Sequence, residues 1–96
     1  MKLLEIIDSN KSGKKLMAIF ESDTGRRKTT HFGAAGMDDY TITKDKAQRD
    51  RYRSRHKKDL QTNDPTKAGF LSYYILWGDS TSRGTNISAF KRKFGL

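Results

Sequence analysis

From Phe70 to Trp77 the chain reads Phe-Leu-Ser-Tyr-Tyr-Ile-Leu-Trp, one small polar residue among seven apolar or aromatic ones, with Asp64-Pro65 ahead of it and Gly78 behind it. Asp is a good helix N-cap, and Pro fits the first helical position, where its missing N–H costs nothing. The pattern predicts a helix over residues 65–77. A helix with almost no polar face has to be buried on most sides. In a chain of 96 residues that is only 33% hydrophobic, no other segment is as apolar, so the rest must pack around this one.

The segments before it supply a sheet. Leu3-Leu4-Glu5-Ile6-Ile7 and Leu16-Met17-Ala18-Ile19-Phe20 flank the polar cluster Ser9-Asn10-Lys11-Ser12-Gly13, and Ser22-Asp23-Thr24-Gly25 leads into Arg26-Arg27-Lys28-Thr29-Thr30-His31-Phe32. Strand-forming runs separated by turn residues predict a three-stranded antiparallel meander over about residues 2–33. Gly33-Ala34-Ala35-Gly36 then marks the exit from the third strand. Thr43 as N-cap and Asp45 in the first turn predict a helix over about residues 43–60, a stretch without Gly or Pro. Ile87, Phe90 and Phe94 at i, i+3 and i+7 predict a short amphipathic helix over 85–94, ending in Lys91-Arg92-Lys93 where cations suit the helix dipole. The fold class is therefore α+β: a three-stranded meander followed by three helices, the middle one buried, in one small domain over 1–96.

Charge is regional. Residues 1–25 carry four basic and four acidic side chains, residues 59–96 five and three, and residues 26–58 eleven and four, so +7 of the total +9 falls in the middle third. A near-neutral scaffold with one basic region is the electrostatic footprint of a polyanion-binding protein. Arg49, Arg51, Arg53 and Arg55 occupy alternate positions, followed by Lys57 and Lys58 and preceded by Lys46. On a helix they spread around the exposed circumference, with Tyr52, His56 and Leu60 on another side. Arginine's planar fork matches phosphate oxygens in pairs. Arg26, Arg27 and Lys28 open the third strand and are expected to extend the same surface. The expected nucleic-acid-binding residues are these ten: Arg26, Arg27, Lys28, Lys46, Arg49, Arg51, Arg53, Arg55, Lys57 and Lys58.

Other activities find little to stand on. There is no cysteine, hence no disulfide and no thiolate zinc site. Neither a P-loop nor a complete G-x-G-x-x-G is present. His31 and His56 with Asp38, Asp39 and Asp50 are the remaining catalytic or metal-binding components, and they have no ligand spacing. His56 shares a helical side with Tyr52 and Leu60, as a packed histidine does. No enzyme activity, cofactor or metal is expected. The chain lacks a stretch of roughly 20 apolar residues and a signal-peptide core, so neither membrane association nor secretion is expected. Phe70, Tyr73, Tyr74 and Trp77 are expected in the core, Tyr74 or Trp77 coming nearest the surface.

Taken together, the run Thr30-His31-Phe32-Gly33-Ala34-Ala35-Gly36-Met37-Asp38-Asp39-Tyr40-Thr41, then Asp45, Arg49, Tyr52 and Arg55-His56-Lys57-Lys58, then Pro65 to Ser72 with Leu76-Trp77, resembles a family of small basic proteins of unknown function. That family belongs to large double-stranded DNA viruses of algae and their relatives, with similar proteins in phages. The resemblance spans about residues 26–94, and residues 1–25 fit loosely. It implies a viral protein of the virion or of the cytosol or nucleus of an infected cell. Two roles follow: sequence-independent binding of nucleic acid, DNA in preference to RNA, through backbone phosphates for genome binding or packaging, or a minor virion structural protein that cements acidic capsid or core surfaces. An exposed sheet edge also allows a homodimer.

Overall fold

The computed structural model describes all residues, 1–96. Strands β1 (Lys2–Asp8), β2 (Lys14–Glu21) and β3 (Arg27–Ala34) form one antiparallel sheet in the order β1-β2-β3. Helices α1 (Tyr40–Thr43), α2 (Lys46–His56), α3 (Ala68–Leu71) and α4 (Arg83–Phe94) follow. A 3-10 segment at Lys57–Thr62 continues α2, and a π-helical stretch at Ser72–Leu76 continues α3. The α+β class with its three-stranded meander is as expected.

Strand periodicity places the core. In β2, Leu16, Ala18 and Phe20 alternate with half-buried neighbours, as the two-residue repeat of a one-sided sheet requires. Together with Leu3 and Phe32 they pack against Phe70, Leu71, Ile75, Leu76, Trp77 and Phe90 in one cluster. In β1 the alternation slips between Leu3 and Glu5, where a bulge leaves Leu4 out of register with β2.

The helices depart from expectation in two places. The single helix predicted over 43–60 is divided, because Lys44 takes a left-handed φ of 57° and closes α1 by donating its backbone N–H to Tyr40 O. Asp45, and not Thr43, caps α2 by accepting from Gln48 N, while Asp39 caps α1. Two capping aspartates six residues apart make two short helices. The helix predicted from Pro65 begins instead at Ala68, since Asp64 accepts from the backbone N and the hydroxyl of Thr66 and holds a tight turn there. It then widens into the π stretch, with Trp77 N donating to Ser72 O. The buried pairs Phe70-Leu71 and Ile75-Leu76 repeat at a spacing of five, which is the hydrogen-bond step of a π turn and not the α repeat. Beyond the end of this segment position 78 has to be glycine, because a side chain there would meet Tyr74 O at 2.2 Å and Asn86 Cγ at 2.7 Å.

Candidate nucleic-acid interface

Helix α2 splits its arginines. Residues at alternate positions on an α-helix are about 200° apart, so Arg49 and Arg53 form one stripe and Arg51 and Arg55 the opposite one. The first stripe turns inward. Arg49 is buried, donates through Nε and Nη2 to Asp50 Oδ1 at 3.1 Å and through Nη1 to Asp79 O at 3.4 Å, and lies 4.8 Å above the Tyr40 ring. Arg53 donates to Trp77 O at 2.8 Å and to Asp79 Oδ1 at 2.9 Å, with Tyr73 beneath its guanidinium. Arg53 therefore does not lie with the outward cations as the helical wheel suggested. These two arginines fasten α2 to the end of the core segment.

The second stripe turns outward. Its Arg51 and Arg55 are exposed, as are Lys46 at the start of α2 and Lys57 and Lys58 in the 3-10 segment, and none of the five makes an ion pair; Arg55 also borders the cleft described below. On the strand side, Arg26 is exposed and unpaired, Arg27 reaches Glu21 at 3.4 Å, and Lys28 donates to Thr66 Oγ1 at 2.8 Å. The triplet lies at the end of β3 away from Ala34, roughly 25 Å along the strand. It does not join the cleft described next.

That cleft, of about 600 Å³, lies between α2 and the loop leaving β3. Gly33 opens it: φ is 78°, and a Cβ there would meet Leu76 Cδ1 at 2.7 Å, so the strand can exit over the core only as glycine. Three rings stack along one wall, Trp77 to Tyr52 at 4.3 Å between centroids and 8° between planes, then Tyr52 to His56 at 4.1 Å and 24°. Trp77 is buried, and the outermost His56 side chain is 39% exposed, with Nδ1 3.1 Å from Asp59 Oδ2. Burial and the Asp59 carboxylate push the Tyr52 phenol above its ordinary range.

The opposite wall is held by Asp39. This carboxylate is fully buried, accepts from Lys15 Nζ at 2.6 Å, from Arg83 Nη2 at 3.3 Å and from the Thr41 backbone N at 2.8 Å, and is also met by the Thr41 hydroxyl. Burial opposes its charge, but the Lys15 and Thr41 hydrogen bonds and the nearby cations prevail and hold the carboxyl below its ordinary range. Lys14 and Lys15 lie on this wall through antiparallel pairing, since Lys14 is opposite Ala34. Sequence reasoning missed both, because residues 1–25 have no net charge; the hairpin register was the signal that placed them. His31 contacts Ser9 and His56 contacts Asp59, on separate elements, and no three acidic or histidine side chains gather as a metal site would need. Tyr74 is half-buried as expected, whereas Trp77 is covered by Tyr52.

Fold and surface thus define a small α+β protein that buries part of a basic helix and presents the remainder. The chain belongs to the family of unknown function DUF5754, whose match covers residues 4–56. It is also 35% identical over 80 residues to an uncharacterised protein of Acanthamoeba polyphaga mimivirus, covering 77% of this chain and 80% of that protein. An uncharacterised viral family is what the resemblance implied, but the family match begins at Leu4 and includes β1 and β2, which the motif comparison had fitted only loosely. No solved structure matches significantly.

Proposed function

We propose that this protein is a non-enzymatic nucleic-acid-binding protein that contacts backbone phosphates through the outward side of α2 and the 3-10 segment after it. One observation carries the reading: of the eleven basic side chains in residues 26–58, only Arg27, Arg49 and Arg53 are neutralised by an acid, which leaves eight without one. A solvated structural helix of mixed charge would have paired more of them. Five of the eight, Lys46, Arg51, Arg55, Lys57 and Lys58, fall on α2 and the 3-10 segment after it, and such unpaired cations favour phosphates and release counterions on binding. Sequence is not read, because such contacts position a protein without distinguishing bases. On the resemblance of the Thr30–Trp77 motif we take the source to be a large double-stranded DNA virus of algae, the bound polymer its genome, and DNA the preferred partner over RNA.

A gel-shift titration with random-sequence duplex and single-stranded DNA across a salt series tests this. If Lys46, Arg51, Arg55, Lys57 and Lys58 each neutralise one phosphate, log K against log salt falls with a slope near −4 to −5 on duplex. Replacing Arg51, Arg55 and Lys58 together by Gln weakens all sequences alike and flattens the slope by about 3. Absence of binding at low salt, or affinity insensitive to salt, defeats the reading. Binding to polyaspartate in place of DNA would favour the role of cementing acidic virion surfaces.

A further inference from the structure

The ring column in the cleft has no part in an outward phosphate face. Trp77 and Tyr52 already close the core, so His56 is not needed as a lid, and the column nevertheless continues through it to solvent. Asp59 holds the imidazole in orientation through Nδ1. Two cations without acid partners line the same cleft from opposite walls, Arg55 from α2 and Lys14 from β2. Lys15, by contrast, is occupied by Asp39 and Met37 O. A planar ring that carries a phosphate is the chemistry that uses both features at once. An aromatic protein side chain would leave the cations unsatisfied, and a bare phosphate would leave the column uncapped. The volume suits one nucleotide, within the roughly 300–1,000 Å³ of small-ligand sites.

We propose that the cleft is a nucleobase-stacking site, in which an unpaired base lies on His56 as the fourth ring of the Trp77–Tyr52–His56 column and its phosphate meets Arg55 and Lys14. The inference rests on the phosphate-binding reading and deepens it by naming the form of polymer preferred. A base inside a duplex is stacked on both faces and has none to offer, whereas single strands, frayed ends and flipped nucleotides do. A free mononucleotide presents the same chemistry, and the experiment separates the two sources.

The probes are adenosine 5′-monophosphate, a short oligo(dA), the same strand built from abasic units with equal charge, and a duplex of matched length. Binding is followed by the fluorescence of Trp77, the one tryptophan in the chain, and by the NMR signals of the His56 ring. Oligo(dA) is expected to bind about tenfold or more tightly than the abasic strand, the range expected from losing one stacked base, and to move the His56 ring signals upfield. His56→Ala removes this difference between the strands and His56→Phe keeps it. Should the alanine variant lose its unfolding transition, the comparison of base-bearing and abasic strands on the unaltered protein decides alone. Equal affinity for both strands with unmoved His56 signals overturns the stacking site. If duplex also binds with steep salt dependence in that case, the phosphate reading stands and only this inference falls. If no polymer binds at low salt, the phosphate reading fails, and the mononucleotide decides: a shifted His56 signal retains the cleft as a nucleotide site, and an unmoved one removes it.

Discussion

Asn86 shows how much one side chain can fix. It is buried at the start of α4, donates to Ile75 O at 2.9 Å and Ser80 O at 2.7 Å, and accepts from Ser80 N at 3.0 Å. Asn86→Ala leaves the buried Ile75 carbonyl and two partly buried Ser80 backbone groups without this partner and is expected to cost about 2–4 kcal/mol in urea unfolding. Asp39 acts comparably, accepting from Arg83 in the same first turn of α4. Because its carboxyl lies below the ordinary value of 3.8, the unfolded chain binds the proton more tightly, and stability gained from this group is complete above that value and is lost as pH falls below it. Acid unfolding followed by circular dichroism should therefore steepen below about pH 4, and Asp39→Ala should flatten that region while costing about 3 kcal/mol at neutral pH. Neither role was legible beforehand. From sequence Asn86 was only a first-turn residue of the helix over 85–94 and Asp39 one of two adjacent acids, since their partners at Ile75, Lys15 and Arg83 are brought near only by the tertiary fold.

Among the elements, α2 was readable as a basic helix, but not which of its arginines would face inward. That choice is ordinarily made by an apolar stripe, and α2 has only Tyr52 and Ala47 to offer one. The inward side is set instead by acceptors supplied from Trp77 and Asp79, in a segment well separated in sequence. The consequence is measurable. Arg51→Gln and Arg55→Gln, at exposed positions, should change stability by no more than about 0.5 kcal/mol, whereas Arg53→Gln should cost about 1–3 kcal/mol by stranding Trp77 O. Asp45→Ala removes the α2 cap and should cost about 1 kcal/mol. The core segment was legible as buried and helical; the turn at Asp64–Thr66 displaces its start from Pro65 to Ala68, and its π step was masked because nearly every residue from Phe70 to Trp77 is apolar, so no single period stands out.

At the scale of the whole molecule, the helices cover one side of the sheet, and the three-stranded meander itself was the most legible feature of the chain, read from strand-forming runs between turn residues. The other side keeps Ile7, Met17 and Ile19 partly exposed. Of the two edge strands, β3 is tied to the loop at Thr66 by Lys28 and Thr30, which leaves β1 as the open edge. Its bulge after Leu3 and its charges Lys2, Glu5 and Asp8 oppose edge-to-edge pairing. Sedimentation velocity is accordingly expected to return the mass of one chain, without the dimer that an exposed edge suggested, and a concentration-dependent rise in mass would count against this account of β1. The regional charge was also plain in the sequence, but the number of cations it leaves unpaired needed the fold.

The division of α2 into an inward and an outward row also governs how this gene can change over time. A substitution at Arg51 or Arg55 alters one row and leaves the other intact. Loss or gain of a single codon between Arg49 and Arg53 would rotate everything downstream by about 100°, pulling Arg53 off its acceptors and swinging Tyr52 out from under Trp77. Among relatives, this stretch should accordingly keep its length constant and exchange arginine for lysine along the outward row while the charge is kept, and insertions should accumulate in the turns at Ser9–Gly13 and Ser22–Gly25 instead.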